Sequence, residues 1–227
     1  MTTLEAAGPL TVNGLVAPAR ALALGFDVDS RLSLSQARAL KAQYGYEFCV
    51  RFVGRGRPSA NDLTASEAAD ILAAGLALFV VQHWYGKAWL PTAALGAKDG
   101  CAAAENALGA GLPAGVSVFC DLEGVDETAA AADVWAYCNG WCGAVQRAGY
   151  VPGIYVGADC GLDAVGLTEL DCRLFWRSCS KVPTPAQGYQ MTQTPCDVVR
   201  GANGTQVDEN RVSATPGTLA WVVGERL

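Results

Sequence analysis

Apolar and polar positions along the chain switch between two periods. Short apolar runs of strand length alternate with longer stretches at helical spacing. Leu22–Asp29, Phe48–Gly54, Leu76–Trp84, Val116–Glu123 and Pro152–Gly157 read as strands. Between them, Ser33–Tyr44, Leu63–Gly75, Lys98–Leu112 and Thr128–Ala148 read as helices, and Asp163–Leu170 as a short one. Thr64 with Glu67 predicts a capping box, and Gly75 a left-handed stop. After Leu170 the helical signal fades. Arg173–Ser180, Tyr189–Thr194 and Gln206–Val212 predict three more strands joined by Pro- and Gly-rich loops, with Leu219–Val223 as a last strand or a packing tail.

Strand–helix alternation with apolar strands implies parallel pairing and right-handed crossovers. The pattern predicts an α/β fold, a TIM-like β/α barrel with five β/α units followed by three strands with few helices. An open doubly wound sheet is the alternative. No Gly-x-Gly-x-x-Gly follows the first strand, so nucleotide binding has no motif behind it. Residues 1–21 are expected to form an N-terminal arm across the barrel, and residues 22–227 a single barrel domain.

Composition narrows the chemistry. The chain has 227 residues, a net charge of −6 and 51% hydrophobic residues, enough for one sizeable core. The acidic balance offers no basic stripe for phosphates, so no nucleic acid is expected as a partner. No window is long and apolar enough to predict a membrane span. The start, Met1-Thr2-Thr3-Leu4-Glu5, lacks the basic-then-apolar order of a signal peptide. Synthesis in the cytoplasm is therefore expected, with any action on a cell wall following release or specialised export.

His83 is the single histidine, so any site needing two imidazoles is excluded. A hydrogen-bonded histidine at a strand end is its expected role. Nine cysteines occur without a Cys-x-x-Cys pair. Cys49, Cys101 and Cys120 are expected as buried thiols, and Cys138 and Cys142 on one helix face. Late disulfides among Cys160, Cys172, Cys179 and Cys196 are the alternative. No cofactor is expected.

The informative residues are acids at strand ends: Asp27 and Asp29 after the first strand, Asp121 and Glu123 after the fourth β/α strand, and Asp208 in the last. In a barrel the C-terminal strand ends build the active face. Asp121 and Glu123, two apart, share a face with Cα atoms roughly 6–7 Å apart. Close carboxylates raise one another's proton affinity. A protonated acid beside a charged partner suits glycosidic bond cleavage. A pair of solvated acids is the plain alternative, and oxygen ligands for a divalent metal a further one. Trp84, Tyr85, Trp89, Tyr155, Trp176 and Tyr189 could stack on sugar rings or serve the core.

The stretch Gly25-Phe26-Asp27-Val28-Asp29 resembles the opening Gly-x-Asp-Val-Ser of glycoside hydrolase family 25 lysozymes, with Asp29 in place of the serine. Asp121-Leu122-Glu123 resembles their Asp-x-Glu motif, and Gly149 to Tyr155 their next strand. Tyr189-Gln190 and Asp208 match the last elements in order. A closer likeness, carried by Arg51 to Gly54, the Leu63–Ala68 helix start and Gly149-Tyr150-Val151-Pro152-Gly153, is to a glycoside-hydrolase-like domain of unknown function related to these lysozymes. The resemblance implies a muramidase-like hydrolase acting on peptidoglycan or a related N-acetylated glycan. It implies Glu123 as general acid and Asp121 assisting the substrate N-acetyl group. Asp27 and Asp208 would line the pocket, and Trp84, Tyr155, Trp176, Tyr189 and Gln190 would bind substrate. A non-catalytic glycan-binding module on the same barrel, or a metal-dependent enzyme, are the competing readings.

Overall fold

The computed structural model describes residues 12–194, 199–200 and 205–225. Five β/α units come first: β2 (Leu24–Val28) with α1 (Leu34–Tyr44), β3 (Phe48–Val53) with α2 (Ala65–Ala73), β4 (Ala77–Gln82) with α3 (Ala93–Gly109), β5 (Ser117–Leu122) with α4 (Ala131–Arg147), and β6 (Val151–Val156) with α5 (Ala164–Thr168). Then come β7 (Leu174–Arg177), β8 (Met191–Gln193), a short β9 (Val199–Arg200) and β10 (Gln206–Val212). Strands β2 to β8 pair in parallel in chain order except at one seam. There β10 sits between β8 and β2, antiparallel to both, and closes an eight-strand barrel. The expected architecture is what forms.

The strands are buried on both faces, which is why they read as apolar runs rather than as alternations. Every residue of β4 and β5 is buried. Inside, the rings of Phe48, Phe79 and Phe119 follow one another at 5.7 Å between centroids. The floor is closed by β11 (Ala220–Gly224), which pairs antiparallel with β4 and lays Trp221 on Phe48, 5.5 Å between centroids. Leu219–Val223 is therefore a strand shifted by one residue.

The N-terminal arm contains a strand, β1 (Gly14–Pro18), that pairs antiparallel with β11; residues 1–11 lie outside the described residues. Two local expectations change. Helix α3 begins at Ala93, capped by Thr92, because Gly96 and Gly100 let its backbone lie against Tyr137 and Trp141 of α4. An Ala- and Gly-rich contact of this kind has no apolar periodicity to announce it. The capping box on α2 is half formed. The Thr64 side chain accepts from Glu67 N, but the Glu67 carboxylate turns inward to Arg51 at 2.6 Å and accepts from Leu32 N at 2.9 Å.

That Arg51–Glu67 pair is buried. Arg51 also donates to the carbonyls of Val28 and Asn61. One guanidinium thus ties the end of β2 to the loop before α2, which stiffens the rim of the barrel.

Cys49, Cys120, Cys138, Cys142, Cys160 and Cys172 are buried free thiols. Cys101 is also free but exposed, contrary to expectation, because it lies on the outer face of α3. Cys196 lies outside the described residues. No helix of the described residues is long and apolar enough to cross a membrane.

Candidate active site

The C-terminal ends of the parallel strands open on a cavity of about 200 Å³. Asp27, Asp121, Glu123 and Asp208 all line it, with Asp29 on its rim. It continues into a second space of about 250 Å³ that shares Asp27, Asp29, Phe52 and Asp208.

Each acid arrives by a different route. Asp27 lies near the end of β2, facing inward, and is buried. Asp121 lies near the end of β5, also buried. Glu123 follows β5 immediately and is half-buried, with its carbonyl accepting from Trp89 Nε1 at 2.8 Å. Its side chain fills the space beside Gly157, where a Cβ would overlap it. Asp208 stands opposite Asp27 in the ladder. Because β10 runs antiparallel, Asp208 is near the start of its strand, not at a C-terminal end as expected. It comes to the same opening through the reversed direction.

Amides hold the acids apart in character. Asp27 Oδ2 accepts from Asn210 Nδ2 at 2.7 Å and from Gln193 Nε2 at 3.2 Å. Gln193 in turn accepts from the Tyr155 hydroxyl at 3.0 Å. Asp121 Oδ1 is buried with no hydrogen-bond partner among the described residues. A buried carboxylate oxygen without a donor favours the neutral acid or invites a ligand donor.

Electrostatics follow from burial. Burial pushes the Asp27 carboxyl up to about 8, against the pull of the Asn210 and Gln193 donors. Asp121 is also raised well above the usual carboxylate range, first by burial and then by Glu123; Arg55 partly opposes this. Glu123 is also raised, by burial and by Asp159. Asp208 is raised by burial and by Asp29. Asp121 and Glu123 behave as one pair sharing protons.

Aromatics frame the space. Trp84 is exposed at the rim, its ring against Gly124. Tyr155 and Trp176 meet edge to face at 4.6 Å and both line the cavity. Trp176 is buried and donates to Asn210 Oδ1 at 2.8 Å, so it shapes the wall as much as it offers a surface. Tyr85 and Trp89 pack together beside Arg55 and are not in the cavity lining.

Tyr189 and Gln190, expected to bind substrate, lie elsewhere. Both precede β8, at the floor end of that strand. The Tyr189 hydroxyl donates to the Pro183 carbonyl, and the Gln190 side chain accepts from Phe175 N at 2.8 Å. Gln193, at the other end of β8, takes the place at the opening. Gln193 and Asn210 escaped the sequence reading because single amides on strands carry no spacing signal. Two residues behind the wall were missed for the same reason. Arg55 donates to Asp99 at 2.9 Å and Tyr137 at 2.7 Å. Asp62 bonds His83 Nε2 at 2.9 Å.

No group of three or more His, Cys, Asp or Glu among the described residues is arranged to hold a metal ion. The arrangement suits proton transfer between carboxyl groups and hydrogen bonding to hydroxyls and amides.

The model of the Rv2525c-like, glycoside hydrolase-like domain family matches residues 38–212. Solved structures share the fold at low identity. The Tat-secreted protein Rv2525c of Mycobacterium tuberculosis aligns at 19% identity with a TM-score of 0.62, covering 85% of this chain and 96% of that one. A bacterial lysozyme from Streptomyces coelicolor aligns at 14% identity and TM-score 0.54, covering 87% and 95%. The modular autolysin LytC of Streptococcus pneumoniae, solved with a synthetic peptidoglycan ligand, aligns at 11% identity and TM-score 0.58, covering 83% of this chain and 46% of that one. No curated protein matches the sequence.

Proposed function

The chain belongs to the Rv2525c-like, glycoside hydrolase-like domain family, and from that footing we propose that it is a peptidoglycan-degrading glycoside hydrolase of the muramidase kind. It cleaves the bond between N-acetylmuramic acid and N-acetylglucosamine. The observation that carries this reading is the meeting of Asp27, Asp121, Glu123 and Asp208 in one cavity with Trp84 and Tyr155. The fold shared with a lysozyme and with an autolysin solved with a peptidoglycan ligand supports it. Export to the wall belongs to the same reading, supported by the Tat-secreted relative.

The proposed chemistry runs through the Asp121–Glu123 pair. The pair needs one proton between them. Asp121 Oδ1, lacking a partner among the described residues, receives the N–H of the substrate N-acetyl group. Positive charge growing at the anomeric carbon draws negative charge to Asp121. The shared proton then rests on Glu123, which gives it to the leaving oxygen as the glycosidic bond breaks and the substrate N-acetyl oxygen attacks the anomeric carbon; water then opens that cyclic intermediate and returns a proton to Glu123. Asp27 stays neutral near pH 7, with Asn210 and Gln193 fixing it, and donates to a sugar hydroxyl. Asp208 completes the wall.

One observation favours a second reading. Burial raises the proton affinity of Asp27, Asp121, Glu123 and Asp208 alike. A wall of neutral acids could bind glycan hydroxyls without cleaving. Mass spectrometry of purified peptidoglycan after incubation separates the two. New reducing ends on N-acetylmuramic acid are expected; binding without any new end establishes the binding module instead.

A further inference from the structure

Behind the wall that carries Asp121 and Glu123 stands a largely buried cation. Arg55 follows β3 by two residues, and β4 separates β3 from β5. Even so, Arg55 Nη2 reaches the Asp121 carbonyl at 3.4 Å. Its Nη1 donates to Asp99 Oδ2 at 2.9 Å and to the Tyr137 hydroxyl at 2.7 Å. The guanidinium lies on the Tyr85 ring, 4.0 Å from its centroid, and 5.9 Å from that of Trp89. The Tyr85 hydroxyl donates to the same Asp99 oxygen at 2.7 Å. Trp89, packed on Tyr85, donates from Nε1 to the Glu123 carbonyl at 2.8 Å. One side chain thus holds the main chain of Asp121 directly and that of Glu123 through Trp89. Asp99 meets the guanidinium at Nη1, while Nε is buried with no hydrogen-bond partner among the described residues. The positive charge is therefore compensated on one side and left free to act on β5.

The proposed cleavage needs Asp121 charged while Glu123 carries the proton. Burial works against any charge there, and no lysine or arginine is among the described lining residues of the cavity. Facing Asp121 are Glu123, Asp27 from β2 and Tyr155 from β6, with His83, Asp29 and Asp208 also in the lining. Arg55 acts on Asp121 from outside this ring, in the direction of the charged form. Facing Arg55 in turn are Asp99 of α3, Tyr137 of α4, Tyr85, and Cys120 of β5. A guanidinium stays charged at every working pH, and through a medium of low dielectric it acts without touching substrate. We propose that Arg55 is a positioning residue of the cleavage, which fixes the Asp121–Glu123 strand end from behind and supplies the positive charge that keeps Asp121 ionised while Glu123 holds the proton. The inference rests on the proposed function and extends its machinery beyond the cavity.

The test is the pH profile of reducing-end release from peptidoglycan, read beside the titration of Asp121 itself. Arg55→Gln removes the charge. The pair then holds its protons to higher pH, so both limbs of the profile should move up by about one pH unit, and kcat should fall about tenfold as the proton settles on the wrong partner. KM should hold within about twofold, since Arg55 does not line the cavity. Arg55→Lys keeps the charge and should return the limbs to within about 0.3 pH of the wild type. A lower kcat with unmoved limbs in folded Arg55→Gln protein marks a merely structural part and overturns the inference. So does a rise in KM alone. If Arg55→Gln does not fold, Arg55→Gln combined with Asp99→Asn leaves no unpaired charge behind and decides; unmoved limbs there overturn the inference. Carbon-13 NMR of the carboxyl groups reads the same effect without catalysis, with Asp121 assigned by the signal lost in Asp121→Asn. Its titration should rise by about one pH unit without Arg55. A titration that stays in place overturns the inference even in an active enzyme. A wild-type protein that releases no new reducing ends defeats the proposed function, and the NMR titration still decides whether Arg55 sets the charge of the pair.

Discussion

The two ends of the barrel are built from the same strands and behave as opposites. At the floor, Phe48, Phe79 and Trp221 stack in sequence, and β11 crosses beneath them. The buried polar group there is matched: Ser117 Oγ accepts from Ala220 N at 3.0 Å. At the opening, the same strands end in carboxyls raised by burial, and one buried oxygen has no donor among the described residues. The floor is where apolar burial stabilises the fold. The opening holds groups whose burial is unfavourable for folding and useful for chemistry. Substitutions should therefore act in opposite senses at the two ends.

The sharpest test is Glu123→Gln. The amide fills the same volume but cannot give a proton, so hydrolysis should fall about 10²- to 10⁴-fold with no loss of thermal stability. Wild-type activity should also fall as pH rises through the raised titration of the Asp121–Glu123 pair, since the protonated member is lost. Reducing-end release across pH, beside a melting curve, checks both. A wild-type rate in the variant would break the assignment.

Phe79→Ala should do the reverse at the floor. It removes a fully buried ring between two others, a loss of about 3–5 kcal/mol by denaturant titration. Residual activity per folded molecule should be unchanged.

Asp27→Asn should stabilise. The folded carboxyl keeps its proton up to about pH 8, against an ordinary carboxyl value of 3.8, so the native state binds more protons across that window. Wild-type stability then falls as pH rises through it. The variant's advantage should be nil near the lower value and reach about 1–3 kcal/mol above the upper one. A pH series of melting curves reads it, and a constant difference would contradict it.

Ser117→Ala is the mildest. Leaving Ala220 N unpaired at the floor should destabilise by about 1 kcal/mol, with no effect on hydrolysis.

The contrast between the ends explains what could be read from sequence. Strands buried on both faces make unbroken apolar runs, so the barrel and its five helical units stood out. Asp27, Asp121 and Glu123 stood out because acids interrupt such runs at their ends. Direction did not: a period of two is the same forwards and backwards, so nothing in Gln206–Val212 announced that β10 is reversed. Gln190 and Gln193 show the same limit, three residues apart and at opposite ends of β8. The His83–Asp62 contact spans 21 positions between a strand end and a loop. Only packing makes such residues neighbours, so no local pattern marks them.

The reversal of β10 has a consequence for how this barrel can diversify. From β2 to β8 the chain leaves each strand at the opening and must return to the floor before the next begins. Between β8 and β10 it does not, since β8 ends and β10 starts at the opening. Residues inserted directly after Gln193 or directly before Gln206 thus join strand ends that both lie at the opening, with no crossover to rebuild. Doubling such a segment adds only about 0.6 kcal/mol of closure entropy. For grafting a new substrate range onto this scaffold, that connection is the place where sequence can grow while the eight strands stay as they are.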